Sequence, residues 1–247
     1  MKDAKKRGVY LDFEVGDTTG ALYMPLGLDP AAPRCPAVYL LGSEEKELKT
    51  IVSLWNKPEY RPAAPVALAA IHPRDWSADY SPLKAPPLRP GEKPFGDGAG
   101  EYLEKIGRTL IPELEKKYNL ASSPANRTLV GYSLAGLCAL YGAFTAEGTF
   151  SRFGGVSPSL WLEGFSDLME SLPISPAVRA VYLSLGKKEP VTKNPRMARV
   201  GEEFEKASAL LSAKLPAGAF LSEWNDGNHF YEPERRIARA IAFLTRD

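Results

Sequence analysis

At 247 residues, with 44% hydrophobic and 25% charged side chains, the chain has ordinary globular composition. It is long enough to bury the core of one α/β domain, expected to run over residues 1–247. A formal net charge of +1, with Lys and Arg spread along helix-like segments, excludes the concentrated basic field that nucleic acid or an anionic membrane requires. Two cysteines, Cys35 and Cys138, are too few for a disulfide framework or a metal cluster.

The basic opening Met1-Lys2-Asp3-Ala4-Lys5-Lys6-Arg7 has the charge of a signal-peptide start. It runs straight into Tyr10-Leu11-Asp12-Phe13-Glu14 without an apolar stretch behind it. No segment is long and apolar enough to cross a bilayer, so a soluble cytoplasmic protein is expected. Leu11, Phe13 and Val15 alternate with Asp12 and Glu14 as in a half-buried strand. After a turn over Gly16 to Gly20, Ala21 to Leu26 gives its antiparallel partner. Ala37 to Leu41 and Pro65 to Ile71 are continuous apolar runs, the pattern of strands covered on both faces. Between them Glu44 to Trp55 reads as helix, with Leu48, Ile51, Val52 and Trp55 on one face.

His72 to Gly100 breaks this rhythm with six prolines and four glycines. A loop that long in a compact domain is functional or disordered; the prolines and the docking surface of Trp76 and Tyr80 favour a substrate-pocket wall. Tyr102 to Tyr118 then predicts a helix, with Leu103, Ile106, Leu110, Leu114 and Tyr118 at three-and-four spacing. The strand Thr128-Leu129-Val130 leads into a helix through Leu137 to Tyr141. Further strands are expected near Phe153 to Val156, Val178 to Leu185 and Ala219 to Trp224, and helices near Val200 to Leu215 and Pro233 to Leu244. An antiparallel start followed by repeated βα units gives an α/β fold: a mostly parallel central sheet with helices on both faces.

Gly131-Tyr132-Ser133-Leu134-Ala135-Gly136 sits at one of those strand-to-helix turns. A serine there, with small residues two positions either side, is presented at the tip of a sharp turn as a nucleophile. An alkyl hydroxyl needs a base to take its proton. The chain has two histidines, His72 and His229. His229 follows the last strand in a turn-rich loop and comes after the serine, the order that this fold requires; His72 precedes it. Glu189, in the loop after Val181 to Leu185, is the leading candidate to orient the imidazole, with Asp226 and Glu223 as rivals. The backbone amides of Leu134 and Ser43 are the expected oxyanion donors. Tyr132, Trp161, Trp76 and Phe230 are candidate walls of a pocket for an apolar or aromatic group.

Arg127 to Leu137, Phe153 to Trp161, Tyr182 to Glu189 and Gly227 to Phe230 together resemble the esterase branch of the α/β-hydrolases. That branch includes enterochelin-type siderophore esterases and esterase D-like thioesterases. The resemblance spans most of the chain, with Ala135 where Gly is commoner and no His-Gly or Asp-Gly pair in the Leu41-Gly42-Ser43 loop. It implies an α/β-hydrolase fold, with Ser133 as nucleophile, His229 as base, Glu189 as acid, and Ser157 to Trp161 bordering the acyl pocket. It implies hydrolysis of a small-molecule ester with no metal or organic cofactor. The alternatives are a thioesterase, a siderophore trilactone esterase, or a catalytically silent binding module.

Overall fold

The computed structural model describes residues 8–27, 34–146 and 148–246; the basic opening Met1 to Arg7 lies outside them. Its strands are β1 (Gly8–Val15), β2 (Thr18–Pro25), β3 (Ala37–Leu41), β4 (Ala67–Ile71), β5 (Arg127–Tyr132), β6 (Arg152–Val156), β7 (Ala180–Gly186) and β8 (Phe220–Asn225). All join one sheet in the order β1-β2-β4-β3-β5-β6-β7-β8. β1 and β2 pair antiparallel, as do β2 and β4; every other pairing is parallel. The opening hairpin turns over two residues, Gly16 and Asp17, with Val15 opposite Thr18. The second strand therefore starts three residues earlier than the sequence pattern places it.

The helices are α1 (Glu45–Leu54), α2 (Trp76–Asp79), α3 (Ala99–Lys105), α4 (Ile111–Tyr118), α5 (Leu134–Thr145), α6 (Phe165–Ser171), α7 (Pro195–Ala198), α8 (Val200–Lys214) and α9 (Pro233–Leu244). The continuous helix expected over Tyr102 to Tyr118 is α3 and α4 joined through a wide π turn, Ile106–Leu110. The apolar residues explain it. From Ile106 to Tyr118 they recur every four residues, which drifts around a 3.6-residue helix, and one wider turn brings the stripe back to the sheet. The helices α2, α6 and α7 are too short to carry a readable period.

Both faces of the sheet are covered, and strand alternation divides the core accordingly. Tyr39 and Leu41 enter one cluster with Leu103, Leu137 and Phe204, under α3, α5 and α8. Val38 and Leu40 enter the other with Leu48, Ile51, Ile237 and Ile241, under α1 and α9. This settles which side chains at the carboxyl edge of the sheet can meet. Residues that continue β5, β6, β7 and β8 emerge side by side there, because Gly131 is level with Gly155, Val156 with Ser184 and Gly186 with Asn225. Adjacent parallel strands that end in register form a crevice there, the usual binding place in such sheets.

Candidate active site

Ser133 lies between the end of β5 and the start of α5 with φ +62° and ψ −125°, a region that non-glycine residues avoid and that functional turns impose. Its backbone is fixed from three sides. The Ser133 N–H donates to Val156 O at 3.0 Å, and its carbonyl accepts from Leu137 N–H at 3.0 Å and Ser159 N–H at 3.1 Å. The strand and helix cross so closely that a Cβ on Gly131 would stand 2.1 Å from the Ala135 carbonyl oxygen. Only glycine fits that crossing. Ala135, fully buried, is accommodated without such a collision.

The sequence candidates Ser133, His229 and Glu189 meet. Ser133 Oγ lies 3.0 Å from His229 Nε2, and His229 Nδ1 lies 2.7 Å from Glu189 Oε2. The other carboxylate oxygen, Oε1, accepts from Gly186 N–H at 2.7 Å, Ser157 Oγ–H at 2.8 Å and Arg236 Nη1 at 3.1 Å. Burial pushes the Glu189 carboxyl up. The hydrogen bond and charge of His229, with the Ser157 and Gly186 hydrogen bonds, outweigh it and hold the group below the usual carboxylate range. The rival acids are committed elsewhere: Asp226 pairs with Lys187 at 2.7 Å, and Glu223 accepts from Tyr182 Oη and from Arg239. His72 faces Thr19 Oγ1 at 3.4 Å, away from this group.

A cavity of about 350 Å³ opens over Ser133. Trp76, Phe95, Trp161, Phe230, Leu88 and Met197 supply its apolar wall, and Ser157, Pro158 and Ser159 continue it beside Leu134. The long proline-rich loop contributes four of these positions, Trp76, Ser77, Leu88 and Phe95. It is closed on itself by paired hydrogen bonds between Ala85 and Phe95. Phe95 meets Trp161 edge-on at 5.5 Å between centroids. Phe230 is 85% exposed yet stands edge-on to the His229 ring at 5.2 Å. Leu88 and Phe95 lie in the loop expected as a pocket wall but were not singled out within it; Met197, on the short α7, and Val200, at the start of α8, carried no sequence signal toward the cavity.

Tyr132 is a correction. It does not line the cavity; it packs in the cluster under α1 and α9, and its hydroxyl donates to the His229 carbonyl. Alternation is the reason: Tyr132 shares the face of Val130, opposite to the α5 side. Burial pushes its phenol up to about 12. Leu134 borders the cavity at the first position of α5. Ser43 is buried in the turn after β3 and outside that lining, although the Leu41–Gly131 register brings it level with Ser133.

The family model of esterases, described as "Putative esterase", matches residues 15–232. The chain is 25% identical over 183 residues to "Uncharacterized protein YbbA" of Bacillus subtilis (strain 168), covering 74% of this chain and 73% of that protein. Its fold is similar to an IroE-like serine hydrolase from Shewanella oneidensis, with a TM-score of 0.74 and 18% identity over 96% of this chain and 79% of that one. It is also similar to the siderophore hydrolase EstA from Aspergillus nidulans, with a TM-score of 0.68 and 20% identity over 98% and 95% of the two chains. With the match covering most of its length, the chain belongs to this esterase family and has the α/β-hydrolase fold.

Proposed function

We propose that the chain hydrolyses carboxylic esters through an acyl-enzyme carried by Ser133, with His229 as general base and Glu189 as the orienting acid. One observation carries the reading: the unbroken Ser133 Oγ, His229 Nε2, Nδ1, Glu189 Oε2 relay at 3.0 and 2.7 Å on the floor of the cavity. Glu189, held ionised, accepts the Nδ1 proton and leaves the Nε2 lone pair facing the serine. Ser133 Oγ bonds to the ester carbonyl carbon as its proton passes to His229. The oxyanion is met by the Leu134 amide and by the Ser43 amide of the β3 turn. His229 then gives that proton to the departing alkoxide. A water molecule, deprotonated by the same imidazole, attacks the acyl carbon, and the serine leaves with its proton restored.

The substrate in this reading is a neutral small-molecule ester with an apolar or aromatic group against Trp76, Phe95, Trp161 and Phe230. Among the described residues the lining holds neither Lys nor Arg, and its one carboxylate is matched by Arg236. A substrate with several negative charges finds no cation there to offset its desolvation. The likeness to a siderophore hydrolase supports a second reading, a multi-ester siderophore presented one ester at a time.

A fluorophosphonate probe tests the first step. Wild type is labelled and Ser133→Ala is not, and hydrolysis of p-nitrophenyl butyrate falls about ten-thousand-fold in the variant. Equal labelling of both removes Ser133 from the mechanism. Comparing p-nitrophenyl benzoate with an ester that bears a carboxylate on its acyl group tests the substrate. The neutral ester is expected to be preferred by at least about tenfold in kcat/KM; the reverse preference rejects the neutral-ester reading.

A further inference from the structure

Arg236 stands on the first turn of α9, a helix whose other arginines reach solvent, yet it is 4% exposed. A guanidinium that deep persists only where its donors are met. Nη1 donates to Glu189 Oε1 at 3.1 Å and to Ser157 Oγ at 2.9 Å. Nη2 donates to the carbonyls of Asp226 and Asn228 at 2.9 and 3.0 Å. One planar group therefore holds the loop after β7, which carries Glu189, and the loop after β8, which carries His229. Ser157, just after β6 with φ +45°, relays the same contact: its Oγ accepts from Nη1 and its O–H donates to Glu189 Oε1.

The packing around this group leaves no freedom to place it otherwise. A Cβ on Gly186 would lie 2.7 Å from the Gly227 carbonyl, 2.9 Å from Glu189 Oε1 and 3.0 Å from Arg236 Nη2. The two loops and the guanidinium thus close on one point, and glycine at 186 is what lets them do so. A fork with two parallel edges of donors suits this double task; an ammonium is a point charge and can serve one edge only.

We propose that Arg236 is the positioning residue of the active site. It acts through Glu189 and the His229 loop, setting the imidazole between carboxylate and serine without touching substrate. The inference rests on the Ser133–His229–Glu189 reading above, and the two can fail separately.

The test is a double-variant cycle on p-nitrophenyl butyrate with Arg236→Met, Arg236→Lys and Glu189→Gln. Arg236→Met is expected to lower kcat about a hundredfold and Arg236→Lys about tenfold, with KM within about twofold of wild type, since Arg236 itself does not line the cavity. Placed on Glu189→Gln, either substitution should cost less than about a further threefold, because both act on the same imidazole. If Arg236→Met does not fold by circular dichroism, Arg236→Lys alone runs the cycle. Full-size losses that persist on Glu189→Gln, or an Arg236→Lys enzyme with wild-type kcat, overturn the proposal. A Glu189→Gln enzyme with wild-type kcat instead overturns the triad reading beneath it.

Discussion

Phe230 shows at the scale of one side chain how the site separates binding from chemistry. An aromatic ring 85% exposed forgoes most of its hydrophobic stabilisation, about 25 cal/mol for each Å² left in water. It is held there by the His229 loop, where its N–H donates to Asn228 Oδ1 at 3.0 Å. Such a ring recovers its burial only when a substrate covers it. Phe230→Ala should therefore raise KM for aromatic esters several-fold, about 1 kcal/mol of lost contact, while kcat and Tm stay near wild type. A lowered Tm with unchanged KM would show instead that the ring belongs to the fold.

The turn between β5 and α5 is the element on which the site's geometry depends. Gly131→Ala places a methyl group 2.1 Å from a backbone carbonyl oxygen, and backbone, unlike a flexible side chain, cannot step aside cheaply. A loss of more than about 3 kcal/mol is expected, together with loss of fluorophosphonate labelling. Thermal denaturation monitored by circular dichroism checks it, and a Gly131→Ala protein as stable as wild type would refute the tight crossing. This turn was legible in the sequence because its chemistry is local: a small residue, a serine and a small residue, after an apolar run and before a helix. His229 and Glu189 were legible because the fold fixes their order and each follows a readable strand. Tyr132 was misread although its position two residues after Val130 already assigned it to the opposite face. Arg236 went unnoticed because Arg235 and Arg239 flank it and α9 looks like an ordinary amphipathic helix. A signal existed: it stands four residues before Ala240 and eight before Leu244, on the row that faces the sheet. What that row meets is decided by β7 and β8, far away in the chain, and no local pattern carries it.

Across the whole molecule, the C-terminal half is tied together by carboxylates that each join separate elements. Glu189 links the loop after β7 to Ser157 and to Arg236 on α9. Glu203 on α8 accepts from Ser166 on α6 and from Arg199 and Lys206. Glu223 on β8 accepts from Tyr182 on β7 and pairs with Arg239 on α9. In all three, burial pushes the carboxyl up and is outweighed: by His229, Ser157 and Gly186 for Glu189; by Ser166, Lys206 and Arg199 for Glu203; by Arg239 and Tyr182 for Glu223. Each folded-state value lies below the ordinary 4.5. A carboxyl lowered in the folded state binds protons more weakly there than in the unfolded chain, so stability rises with pH wherever the unfolded chain holds more protons. The three contributions are complete above about pH 5, begin to fade as the pH drops through about 4.5, and are gone once it passes below the folded-state values. Scanning calorimetry should accordingly find a Tm with little slope from these groups between about pH 5.5 and 7, and a steep fall below about pH 4.5. Glu223→Gln keeps the shape and the Tyr182 contact but removes one titrating group, so its Tm should fall less steeply in acid than that of wild type. Parallel acid limbs for the two proteins would mean that the Arg239 pairing adds nothing across β8 and α9, as partly exposed ion pairs often do, and that the acid sensitivity resides in Glu189 and Glu203 instead.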